Sequence, residues 1–387
     1  MRSAILDGTV MKRNRARILF FVLILVAAPF LVGFGPPGYT ESDKARMPLY
    51  ASEVPKLQAA TPPEVAAVAA VAIDGETGQL LYDKNAHARR APASMTKVLS
   101  AIVALEHGNL QDQVEVKVNG WAMEGSSVMG LTPGEVLDLR GLLIGLMVPS
   151  GNDAALAIAE HVGGTVERFV DLMNAKVAEL GLKDSHFANP HGLDDEAHYS
   201  SAYDIAHLAR YAMRYPAFSE IARMKQAVVE GQKNTYYVKN TNPLLGAYEW
   251  ADGVKTGYTE AAGNCVVGSA EKDGRRVFIT LMDSNERAQD GARLFDYAFE
   301  DFVDVSLELP KSPFYRGVGV GGGQLTLEPV EGRRVCLQVW QLENVRSEVR
   351  LDVDPDGLLR PGQVIGEVVF YLGDPEPLRV PLRVKGE

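Results

Sequence analysis

The sequence predicts an α/β (α+β) body with a mixed, mainly antiparallel sheet and an inserted helical region, followed by a small all-β sandwich. Three observations carry this. Strand-like apolar runs joined by turn signals stand at both ends of a stretch from about residue 65 to 305, and helical patterns fill the middle. Beyond about Leu309 the texture changes to short period-two runs separated by Gly, Pro and Asp. At 387 residues the chain is long enough for two such domains, each with a core of its own.

Taken in order, the chain opens with Lys12, Arg13, Arg15 and Arg17 ahead of an apolar run from Ile18 to Gly35. A basic head before an apolar core is an export signal. The run approaches the length of a short membrane span, and Pro29 after Ala27 and Ala28 spoils a clean cleavage site, so a cleaved signal peptide and an uncleaved anchor both stay open. Met11 is an alternative start to Met1. Positive charge before the span places the body outside the cytoplasm. The expected location is the cell envelope, on the periplasmic side of the cytoplasmic membrane, tethered by the N-terminus or free after cleavage. Residues 1–35 are thus signal or anchor and 36–63 a polar, proline-bearing linker. The main body is expected over 64–305 and the β-rich domain over 309–387.

Within the body, AVAAVAIDGETGQLLYDKN reads as a hairpin turning at Asp74-Gly75 and Thr77-Gly78. APASMTKVLSAIVALEHGN has Val98, Leu99, Ile102, Val103 and Leu105 at helical spacing and Gly108 as a stop, which predicts a buried helix. DAALAIAEHVGG and VERFVDLMNAKVAELG are further helices. GVKTGYTEAAGNCVVGSAEKDGRRVFITLMD is a second hairpin, around Asp273-Gly274, and ARLFDYAFEDF a closing helix. Strands flanking inserted helices imply one sheet assembled from both ends of the segment, which would bring the neighbourhood of Ser94 to that of Lys255. VCLQVW, EVRLDVD, GEVVFYLG and LRVPLRVK are the strands of the tail.

Composition excludes several functions. Asp plus Glu number 50 against 39 Lys plus Arg, without a basic stripe, so nucleic acid is not an expected partner. Cys265 and Cys336 sit in separate strand-like runs and read as two buried thiols, a disulfide being the alternative. His186, His191 and His198 match no ligand spacing and read as loop histidines, and no metal or other cofactor is expected.

Three polar clusters remain. Ser94 and Lys97, at i and i+3, share a helix face that points to an interior cleft. A buried lysine there is destabilised as a cation and becomes a candidate base for the nearby hydroxyl; a capping serine and a solvated lysine are the bland alternative. Ser150, Gly151 and Asn152 head another helix, as caps or as a proton relay with a carbonyl-holding amide. Lys255, Thr256 and Gly257 end a strand, where glycine permits close backbone approach.

In this order the set S-x-x-K, S-x-N, K-T-G resembles the penicillin-binding proteins and serine β-lactamases, a motif set documented for that superfamily. ASMTKVLSA, GLMVPSGNDAALAIAE, FANPHGL, SSAYDIAHLAR and DGVKTGYTEAAGNC resemble the low-molecular-mass D-alanyl-D-alanine carboxypeptidases (peptidase S11-like) over about residues 65–305. The β-rich tail resembles that family's C-terminal domain.

The resemblance implies a catalytic domain over 64–305 in which Ser94 attacks the D-Ala-D-Ala carbonyl of a peptidoglycan stem peptide and Lys97 takes its proton. Ser150 passes a proton to the leaving amine, and Asn152 positions the acyl amide. Lys255 supplies positive potential. The backbone N–H groups of Ser94 and Tyr258 form the oxyanion hole, with Gly257 allowing the approach. Thr256 and Arg287 hold the terminal carboxylate, Arg293 being the alternative to Arg287. β-Lactams are the implied inhibitors. No E-x-x-L-N segment lies between Asn152 and Lys255, so an acyl-enzyme formed with penicillin is expected to hydrolyse slowly. A D,D-endopeptidase acting on cross-links and a non-catalytic penicillin-binding sensor of the same fold are the rival readings. The chain ends in the strand pattern PLRVPLRVKGE, not in the amphipathic membrane helix common in the family, so the expectation is tethering by Ile18–Gly35 or a protein free in the periplasm or wall. A protein partner for the C-terminal domain is left open.

Overall fold

The computed structural model describes residues 61–123, 125–307, 317–318, 324–330, 334–352, 359–372 and 377–385. The expected export segment, and the linker up to residue 60, lie outside them. No helix among the described residues is long and apolar enough to cross a membrane. The described chain divides into two compact units, one formed by residues up to Leu307 with Gly332–Leu342, the other by 308–331 with 343–387.

The first unit is organised by five strands in the order β2-β1-β9-β8-β7, every neighbouring pair antiparallel. These are β1 (Ala69–Asp74), β2 (Leu80–Lys84), β7 (Ala251–Thr259), β8 (Gly263–Lys272) and β9 (Arg275–Met282). β1, β8 and β9 are apolar with little alternation because both faces of the sheet are covered, and side chains two apart sort to different cores. Ala69, Val71 and Ile73 of β1 join Cys265, Val267, Phe278 and Met282 against the helical lobe. Ala70 and Ala72 join Val266, Ala270, Ile279 and Leu281 against the closing helix. β1 reaches β9 from the far end of the unit, pairing Ala69 with Met282 and Asp74 with Val277.

The helical lobe is inserted between β2 and β7. Its centre is α1 (Lys97–His107), buried around most of its circumference by Val98, Leu99, Ala101, Ile102, Val103 and Ala104, as expected of a helix enclosed by others. The short strands β3 (Gln113–Glu115) and β4 (Val136–Asp138) pair on its flank. Then come α2 (Leu139–Met147), α3 (Asn152–Gly163), α4 (Val166–Glu179), α5 (Ala202–Ala212) and α6 (Pro216–Ala222). Side-chain caps fix three of these starts: Asp138 accepts from Gly141 N, Thr165 from Arg168 N and Ser201 from Asp204 N. Pro216 stands in the first turn of α6, where its missing N–H costs nothing. The hairpin β5 (Gln226–Glu230) and β6 (Thr235–Lys239) and the short α7 (Leu244–Ala247) lead back to β7.

Helix α8 (Arg287–Glu300) covers the other sheet face with Leu294, Phe295 and Ala298. Beyond it β10 (Phe302–Ser306) pairs antiparallel with β14 (Arg334–Gln338). The VCLQVW run, read by its period as part of the tail domain, therefore belongs with the first unit. Period two specifies a strand but not its partner.

In the second unit β11 (Gly317–Val318) pairs with β12 (Gln324–Leu325). A four-stranded antiparallel sheet follows in the order β13-β17-β16-β15, with β13 at Leu327–Pro329, β15 at Arg346–Leu351, β16 at Val364–Tyr371 and β17 at Leu378–Val384. Along β17, Val380, Leu382 and Val384 are buried while Arg379 and Pro381 face solvent, the signature of a sheet covered on one side.

Candidate active site

Ser94 lies in a single 3-10 turn, Ala93–Thr96, that runs directly into α1. Ala93 holds φ 47°, a left-handed conformation that turns the chain sharply before the serine. Lys97 follows one turn later with a fully buried side chain. Its Nζ is 2.8 Å from Ser94 Oγ, 2.6 Å from Asn152 Oδ1 and 2.7 Å from the carbonyl oxygen of His191. Burial first, and then the nearby Lys255 charge, hold this amine well below the ordinary lysine range, while Asp153 acts in the opposite sense. The three partners define how a neutral amine sits. Two of them are carbonyl oxygens that can only accept, so they take both N–H bonds, and the lone pair is left facing the Ser94 hydroxyl.

Asn152 reaches this point as the first residue of α3. The turn before it places Ser150 at φ 68°, 5% exposed, while Gly151 N donates to Gly145 O and Asn152 N to Ser127 O. Asp153, fully buried, anchors the turn to the loop opposite, its carboxylate accepting from the backbone N–H groups of Met129, Gly130 and Leu131 at 2.8–2.9 Å. The second polar cluster is therefore a built support, which brings Asn152 to Lys97 and leaves the buried Ser150 two residues before it.

The third cluster comes from β7. Lys255 is 1% exposed, donates to Thr256 O at 3.1 Å, and is brought down to about 7 by burial. Thr256 Oγ1 lies 2.7 Å from Thr241 Oγ1. Gly257 passes so close to the serine turn that an added Cβ would stand 2.9 Å from both Ser94 N and Ala93 Cβ, which accounts for glycine here. Tyr258, the next residue, is 63% exposed. Arg287, first residue of α8, is half-buried and donates from Nη1 to Cys265 O at 3.3 Å, the residue opposite Gly257 in the β7/β8 register. Arg293 is engaged elsewhere, with Asp290 at 2.9 Å and Glu286 at 3.3 Å.

Several contributors escaped the sequence reading. The His191 carbonyl is a backbone group, and its presentation depends on a turn in which Asn189 Oδ1 accepts from Gly192 N at 2.7 Å. The N-P-H-G quartet is a turn signal that marks the place but not the direction of the carbonyl. His198, read as a loop histidine, is 3% exposed and hydrogen-bonded through both ring nitrogens. Cys265 and Cys336 are separate buried thiols. Asp74, Asp304 and Cys336 cluster closely enough to hold an ion. Arg275 already provides the positive charge there, donating to Cys336 Sγ at 3.3 Å and lying 3.5 Å from Asp74 and 3.6 Å from Asp304.

The arrangement is suited to acyl transfer: a hydroxyl 2.8 Å from a buried amine whose proton affinity is lowered, a strand backbone that passes close to the serine turn at Gly257, and a second buried lysine. Comparison with known proteins agrees. The family model for D-alanyl-D-alanine carboxypeptidase matches residues 56–286. The chain is 31% identical over 372 residues to the D-alanyl-D-alanine carboxypeptidase DacF of Bacillus subtilis, covering 93% of this chain and 90% of that one. Among solved structures it resembles penicillin binding protein 5 of Haemophilus influenzae, with a TM-score of 0.73 and 30% identity over 84% of this chain and 98% of that one. It also resembles the DD-transpeptidase of Streptomyces K15, with a TM-score of 0.59 and 33% identity over 62% of this chain and 99% of that one.

Proposed function

The chain belongs to the D-alanyl-D-alanine carboxypeptidase family, and from that membership we propose how its residues divide the reaction. It is a serine peptidase that removes the terminal D-alanine from peptidoglycan stem peptides ending in D-Ala-D-Ala, and a penicillin-binding protein. In the proposed sequence Ser94 Oγ bonds to the carbonyl carbon between the two D-alanines as its proton passes to Lys97 Nζ. General-base transfer of this kind contributes roughly a hundred- to ten-thousand-fold in rate. The oxyanion accepts from Ser94 N–H and Tyr258 N–H, each donor being worth about 3 to 4 kcal/mol. The C–N bond then breaks, Ser150 relays the proton from Lys97 to the departing amine, and an ester on Ser94 remains for water to hydrolyse. Asn152 holds the acyl amide, and Lys255, Thr256 and Arg287 hold the terminal carboxylate.

One observation carries this reading: Lys97 Nζ, fully buried, lies 2.8 Å from Ser94 Oγ and within 2.7 Å of the two carbonyl oxygens of Asn152 and His191, a setting in which a neutral amine would give its N–H bonds to the carbonyls and its lone pair to the serine. The test is Ser94→Ala. It should abolish both the covalent adduct with labelled penicillin and the release of D-alanine from a pentapeptide, with thermal unfolding unchanged. Release that persists would refute the assignment. Products from pentapeptide against cross-linked muropeptides, compared in the same assay, separate carboxypeptidase from endopeptidase action.

We further infer that the basic head and apolar run at the N-terminus deliver this body to the outer face of the cytoplasmic membrane. Recovery of the protein from the cytoplasmic fraction would overturn that. A mature N-terminus near residue 40 in a fully soluble product would exclude the tethered form.

A further inference from the structure

The peptide joining Ala93 to Ser94 has two ends. Its N–H is Ser94 N, the donor assigned above to the oxyanion hole, and its carbonyl is Ala93 O, which points into the protein. Thr96 Oγ1 donates to that carbonyl at 2.8 Å, and Thr96 Oγ1 lies 2.8 Å from His198 Nε2. On the far side of the ring, Ala188 N donates to His198 Nδ1 at 3.0 Å. A ring nitrogen that accepts an N–H carries no proton of its own, so the proton of the neutral imidazole is on Nε2 and is directed at Thr96. Every donor then has one direction, from Ala188 N–H through His198 and Thr96 to Ala93 O.

The surroundings hold this chain still. Thr96 is fully buried and His198 is 3% exposed. The edge of the His198 ring meets Phe187 at an interplanar angle of 90° and a centroid distance of 5.3 Å. Gly192, at φ 91°, closes over the same carbonyl, and a Cβ there would stand 2.0 Å from Ala93 O and 2.9 Å from Thr96 Oγ1. Ala93 itself has a left-handed φ that an alanine keeps only when its neighbours enforce it. The Thr96 bond to its carbonyl is such an enforcement.

We propose that His198 and Thr96 form a buried relay that fixes and polarises the Ala93–Ser94 peptide, presenting the Ser94 N–H as an oxyanion-hole donor. A hydrogen bond onto the carbonyl of a peptide draws electron density from its N–H, and each further bond in a chain strengthens the next by about 10–30%. The relay also sets the plane of the peptide, and with it the direction of the N–H, to which stabilisation of a developing oxyanion is most sensitive. Thr96 and His198 touch no substrate. They are positioning residues, and the proposal rests on Ser94 being the acylated residue.

The test is Thr96→Val, which keeps the shape and removes the hydroxyl. Acylation by penicillin should slow on the order of tenfold, less than for outright loss of an oxyanion donor. In the acyl-enzyme formed with an isotope-labelled penicillin, the infrared ester carbonyl band should move to higher frequency, because a weaker donor polarises it less. Thr96→Ser should restore most of the rate and the band. Acylation within about twofold of the parent protein, or slower acylation with an unmoved band, overturns the relay. If Thr96→Val does not fold, His198→Asn is read in the same way: its side chain is too short to reach Thr96, the band should shift by less in the same direction, and an unmoved band again overturns the relay. Failure of the underlying reading looks different, since the adduct would then form in Ser94→Ala as well.

Discussion

Two lysines are buried in this site, one on the helix side and one on the strand side, and their surroundings differ. Lys97 has three oxygen partners within 2.8 Å. Lys255 has one among the described residues, the carbonyl of Thr256 at 3.1 Å. Burial lowers the proton affinity of both. It is the partners that separate their roles. With two fixed carbonyls to take its N–H bonds, an uncharged Lys97 would act through its lone pair towards Ser94, as the proposed mechanism requires. Lys255 keeps donors unspent on the protein, and a carboxylate arriving in the cleft is the group they suit. Desolvation lowers the proton affinity in both places, and the acceptor count is what suits one lysine to the proposed base and the other to the proposed binding group.

The comparison can be broken most severely on the helix side. Lys97→Met should cost roughly a hundred- to ten-thousand-fold in acylation rate, since it removes the base and leaves the serine proton without a destination. Thermal unfolding should hold or rise, because a methionine carries no buried amine to desolvate. A rapid adduct with labelled penicillin in this variant would show that another group accepts the proton.

A smaller effect is expected from the pH profile. The proposed mechanism has Lys97 uncharged and Lys255 charged. As pH rises through about 7, Lys255 loses its proton in the free site, so kcat/KM should fall on the alkaline side. Lys255→Arg cannot discharge in this range, and its alkaline limb should move out by several units. Stability follows the same titration with the opposite trend. Between about 7 and the ordinary lysine value of 10.5 the unfolded chain binds more protons than the folded one, so the unfolding free energy should rise with pH in that window. That gain should shrink in Lys255→Arg. An alkaline limb left in place in this variant would assign it to another group.

Arg287 should matter least. It sits at the edge of the strand-side group, tied to the Cys265 carbonyl, and any hold on the substrate carboxylate is shared with Lys255 and Thr256. Arg287→Leu should raise KM by about tenfold with kcat little changed, an effect on the order of one charge-assisted hydrogen bond. A fall in kcat with KM unchanged would give this arginine a role in the transition state instead.

Much of the candidate site is legible in the sequence because its side chains stand at fixed spacing: Ser94 and Lys97 on one helical turn, Ser150 and Asn152 at a helix start, Lys255 to Gly257 along a strand. The groups that tune them were not readable. His191 contributes a carbonyl that every residue owns, and only the Asn189–Gly192 turn decides where it points. His198 looked like one of three histidines in a polar stretch, and its burial depends on Phe187 and Thr96, contacts that spacing does not encode. The fold shows the same division. Two hairpins and the central helix are local and follow from turn residues and periodicity. That β1 sits beside β9, and that β14 leaves its sequence neighbours to pair with β10, are non-local choices.

That last pairing means that the C-terminal tail cannot simply be cut away from the enzyme. Because residues 332–342 belong to the first unit while 308–331 and 343–387 form the second, the chain passes from one unit to the other three times. A protease or an engineered stop codon acting just after Leu307 would spare every residue of the acyl-transfer site. It would also leave β10 as an open edge, and Arg275 without the thiol it now meets. The shortened enzyme would then be expected to fail first by sticking to copies of itself, with its chemistry still intact.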